Sequence, residues 1–192
     1  MGSVSEANLT EFFRDLLREA MRSQAVDSSE DTEFYLVKLL ESFIKPDHDW
    51  LDRPLALEFL ESFHSPDRLR YGKLKRVGDT TLFLSGIFME SLHRKVVGPD
   101  YYISLGRSAY EQLSGLSAEL GAHVGDSFAE LADRFTDYVR VLAELSLEQM
   151  FQGDATALRV YTRWLYTRGE NDRRWLTRHG IIPFVPDHPR RH

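Results

Sequence analysis

The stretch from Ser65 to Leu116 organises this chain, because it holds the least polar segment, Thr80 to Met89, between the glycines at 78 and 98. Large apolar groups occur on every side of that segment, and a helix apolar all round is a buried one. At about ten residues it is far short of the roughly 20 needed to cross a bilayer, so it is expected to be a core helix and no membrane span is expected. The other helices must then enclose it.

The flanks of the segment carry helix punctuation. Ser65-Pro66-Asp67 reads as a helix start, with Ser65 as cap, Pro66 where no amide donor is needed and Asp67 facing the positive helix end. Val77-Gly78 reads as a cap or hinge, after which Asp79 can cap the apolar segment. Gly98-Pro99-Asp100 starts another helix, bearing Tyr101, Tyr102, Leu105, Ala109, Leu113 and Leu116. Its small residues Ser104, Gly106, Ser108 and Ala109 match Ser85 and Gly86, so residues 79–94 and 100–120 are expected to form a central antiparallel pair.

Around this pair the periodicity predicts further helices. Asn8 to about Met21 is amphipathic, and Asp31 or Thr32 caps a helix that Pro46 stops. Asp52 and Pro54 start one through Phe63, and Asp126 or Ser127 begins a long helix whose apolar stripe runs to Leu145 and which Gly153-Asp154 breaks. Two more follow, ending at Gly169 and Gly180. Leu39 to Asp47 echoes Phe59 to Asp67, but one echo without a third copy is no solenoid. No long segment alternates with period two and no hairpin dipeptide joins two apolar runs. The fold class is therefore all-α, a single-domain bundle of about seven or eight helices around a buried central helix. Residues 1–7 are expected to fray, and 181–192, with its prolines in Ile181-Ile182-Pro183-Phe184-Val185-Pro186, to form an extended tail.

At 192 residues, 42% hydrophobic and 28% charged, the chain can bury a sizeable core in one domain. It has no cysteine, which excludes disulfides and thiolate metal sites and fits a reducing compartment. With no basic segment leading into an apolar one at the N-terminus, a cytoplasmic location is expected. The net charge of -6 is unevenly spread: from Ala155 onward 8 Lys and Arg face 3 Asp and Glu, against 16 and 27 before it. The simplest reading is that the acidic and basic parts attract each other within one fold.

Three groups of residues could carry chemistry. Glu61-Ser62-Phe63-His64 and Glu90-Ser91-Leu92-His93 each place a carboxylate and an imidazole on one helix face. Two such pairs, with one Glu from each of two further helices, make a di-iron carboxylate site, so Glu61, His64, Glu90 and His93 are the candidate metal ligands. The pattern resembles the ferritin-like one in spacing alone, because the remaining ligands would have to come from Glu33 or Glu41 and from Glu130 or Glu144. The second group is Asp79, Tyr102, Arg107 and Tyr110, polar residues set in the most apolar part of the chain. They can satisfy one another as a network that fixes helix register, or line a pocket in which Arg107 receives an acidic ligand. The third interleaves cations and rings, Arg159, Arg163, Trp164, Arg173, Arg174 and Trp175 among them, as nucleic-acid binders do. Trp164 and Trp175 fall at core spacing and the chain is acidic, which weighs against nucleic acid.

No Gly-rich phosphate loop, Gly-x-Ser-x-Gly, His-Glu-x-x-His or cysteine nucleophile occurs. The expected function is accordingly a non-enzymatic binding or regulatory module whose partner is another protein or a second copy, met through a helix groove or the apolar tail. The competing expectation is a metal- or small-ligand-binding bundle. No cofactor is specified by these patterns.

Overall fold

The computed structural model describes residues 6–44, 54–87, 98–121, 124–145, 157, 160, 161, 164, 170–179 and 181. Every regular element among them is a helix: α1 (Glu6–Ser23), α2 (Glu30–Ile44), α3 (Leu55–Ser62), α4 (Asp67–Ile87), α5 (Pro99–Glu119), α6 (Gly125–Asp133), α7 (Phe135–Ala143) and α8 (Glu170–Arg178). The protein is an all-α bundle, and no helix among the described residues is long and apolar enough to cross a membrane.

The bundle closes around α4. Every residue from Val77 to Gly86 is buried, as the apolar wheel of this segment requires. α5 packs most extensively against it, joined by α7 and α3, while α1 and α2 pair with each other and reach α7 and α6. Tyr110 covers Gly78 while Thr81 lies against Gly106, so α4 and α5 run antiparallel.

One close approach has a different partner from the one the small residues suggested. Gly106 does admit α4, but Gly86 turns to α7, where Leu142 occupies the space a side chain would need. A helix apolar all round meets neighbours on several sides, so matching small residues along the sequence does not say which neighbour each serves.

Three local readings also change. α4 runs unbroken through Gly78, which is neither cap nor hinge. A glycine weakens a helix by about 1 kcal/mol but ends it only when it turns left-handed. Here its missing Cβ, which would stand 2.7 Å from Tyr110 Cε1, makes room for the tyrosine ring. Ser65 does not cap α4, since its hydroxyl donates to the Glu61 carbonyl at 2.8 Å. The long helix from Asp126 is two helices, because Arg134 adopts φ -111° and ψ 25° and its carbonyl takes the amides of both Asp137 and Tyr138. The break lets Phe135 turn its ring onto Gly106.

Polar ties fix the outer helices. Ser29, rather than Asp31 or Thr32, caps α2 by accepting from the Thr32 amide at 3.2 Å. α3 is held to α4 by Arg76 Nε to Glu58 at 2.6 Å and Lys73 to Glu61 at 2.8 Å. Ala157, Tyr161, Trp164, Leu176 and Ile181 are buried, so the basic part from Ala155 onward puts apolar side chains into the core. Residues 1–5 and 182–192 lie outside the described residues, while Glu6 and Ala7, expected to fray, belong to α1.

Candidate functional site

Asp79 sits in the middle of α4, where helical packing removes its carboxylate from water. Three donors converge on it. Tyr35 from α2 gives its hydroxyl to Oδ1 at 2.5 Å, Tyr110 from α5 reaches the same oxygen at 2.8 Å, and Lys75, one turn earlier on α4, reaches Oδ2 at 2.5 Å. Aromatic rings enclose the cluster. Phe128 stacks on Tyr110 with centroids 6.0 Å apart and meets Tyr35 edge-on at 5.3 Å, and the Lys75 ammonium lies 4.9 Å from the Tyr35 ring centre. Burial, and then the charge of Asp79, push the Tyr35 and Tyr110 phenols well above their ordinary range. Both therefore stay protonated as donors.

Of the four residues expected to cooperate here, the structure brings together Asp79 and Tyr110. Tyr102 is buried one turn before Gly106. Arg107 lies on the solvent side of α5 and pairs with Glu111 at 3.3 Å, away from Asp79. The cation of the cluster is Lys75, which its i, i+4 spacing to Asp79 could have revealed. Tyr35 had no such signal, since it arrives from a helix far away in sequence.

A second hub lies at Glu130 on α6. It accepts from Ser29 Oγ at 2.6 Å, Thr32 Oγ1 at 2.8 Å and Tyr138 at 2.6 Å, as well as from the Ser29 amide at 3.2 Å. Partial burial alone would raise its pKa, but these four donors bring it down to about 2. The sign follows from linkage: a carboxyl whose folded pKa is depressed stabilises the fold above its unfolded value of 4.5 and loses that contribution as pH falls toward 2. Allowing for solvent contact, the contribution is about 2 kcal/mol. Urea unfolding at pH 6 and at pH 3 checks this. The wild type should be more stable than Glu130→Gln by about 2 kcal/mol at pH 6, and the gap should narrow at pH 3.

The carboxylate and imidazole pairs are placed as follows. Glu61 bonds Lys73, and the His64 side chain is exposed in the turn after α3. Glu90 and His93 lie outside the described residues. The further glutamates are engaged by protein groups: Glu33 by Arg18, Glu41 by Lys38, Glu130 as above and Glu144 by Gln24. Among the described residues no three His, Asp or Glu side chains are grouped so as to hold a metal ion.

Sequence reading missed the feature at one end of the bundle. Leu57 on α3 is 48% exposed, Leu60 61%, Phe63 47%, Leu69 at the start of α4 61%, and Leu120 just after α5 55%. The α3 to α4 pairings place the Phe63 turn beside the start of α4. Carried to the helix ends, the α4 to α5 register brings Leu69 level with Leu120. Leu60, Phe63, Leu69 and Leu120 thus lie toward one end of the bundle, with Leu69 on the face of α4 opposite the one that Gly78 turns to α5. Their helical spacing looked like core spacing, and only the assembled bundle shows which apolar positions lack a neighbour.

Comparison with family models, characterised proteins and solved structures gives no match.

Proposed function

We propose that this chain is a non-enzymatic binding module that acts through protein contacts made at the apolar end of its bundle. The observation that carries this reading is the concentration of half-exposed leucine and phenylalanine side chains where α3 ends, α4 begins and α5 ends. Single exposed apolar residues are ordinary, whereas a group of them at one place marks an interaction surface. The Asp79 carboxylate supports the reading from the other side, because it is already taken by three donors from its own chain.

The double substitution Leu60→Asp, Leu69→Asp tests it. Both side chains face solvent, so the variant should keep its helical circular dichroism and its Tm within about 2 °C. Affinity-tagged wild type should retain binding proteins that the variant loses by at least about tenfold, as expected when charges enter the centre of an interface. Retention of every binding protein by a folded variant refutes the proposal.

A further inference from the structure

We draw no further inference here: the strongest candidate, the groove of about 840 Å³ between the C-terminal half of α1 and the loop leading into α2, is walled by exposed side chains of both signs, Asp15, Glu19 and Asp27 with Arg18 and Arg22, and none of its polar lining residues is buried so as to say what it would hold.

Discussion

Asp79→Ala should destabilise the protein by about 3 to 4 kcal/mol and lower Tm by about 10 °C, measured by urea and thermal unfolding. The substitution strips the acceptor from two buried phenols, each of which costs about 1 to 3 kcal/mol when left unpaired, and Lys75 loses its counter-charge. Lys75 is partly exposed and can turn to water, which keeps the loss from being larger. Asp79→Asn should cost less, since its carbonyl oxygen can still accept from the tyrosines. Replacing the cluster together, with Asp79→Leu, Tyr35→Phe, Tyr110→Phe and Lys75→Met, should regain much of the stability, because apolar groups of similar shape leave nothing unpaired. A loss under about 1 kcal/mol for Asp79→Ala would mean that the cluster does not hold the bundle. The same geometry gives an alkaline limit. The phenols have folded pKa values raised above 10.0, so their contribution is intact below that pH and is lost as pH rises past it, where the unfolded chain releases protons that the folded one keeps.

Gly86→Ala should cost about 2 kcal/mol, or about 5 °C in Tm, even though alanine favours a helix by roughly 1 kcal/mol over glycine. The new methyl would overlap Leu142 Cβ and come within 3.4 Å of the Val139 carbonyl oxygen. Neither atom can swing aside on a flexible side chain, so α7 as a whole must move away from α4. The contrast is Gly115, where a Cβ meets nothing within 4 Å. There the alanine should stabilise, and equal effects at the two sites would show that α4 and α7 are not in close contact.

These two positions show what was legible before the fold was known. That Thr80 to Gly86 is buried followed from its apolar wheel, and the all-helical class followed from periodicity, because both are local properties of the chain. Which surface meets Gly86 was not legible, since α5 and α7 both offer helical faces and the choice depends on how all the helices pack. The break at Arg134 was hidden for a similar reason: the stripe of Phe128, Leu131, Phe135, Tyr138 and Leu142 continues through it, and only the position of Phe135 over Gly106 shows the change of direction. At the candidate site Asp79 and Tyr110 could be singled out as polar residues in an apolar context. Lys75 was legible from its i, i+4 spacing to Asp79, whereas the arrival of Tyr35 was not, because a side chain's neighbours across helices leave no trace in its own segment.

The order in which the covering parts occur along the chain has a consequence during synthesis. Tyr110 and Leu142, which close over Gly78 and Gly86, both come after α4. A growing polypeptide leaves the ribosome N-terminal end first, so the apolar second half of α4 emerges while the segments that will shelter it are still to follow. In that interval the surfaces of Gly78 and Gly86 that Tyr110 and Leu142 will cover stand open.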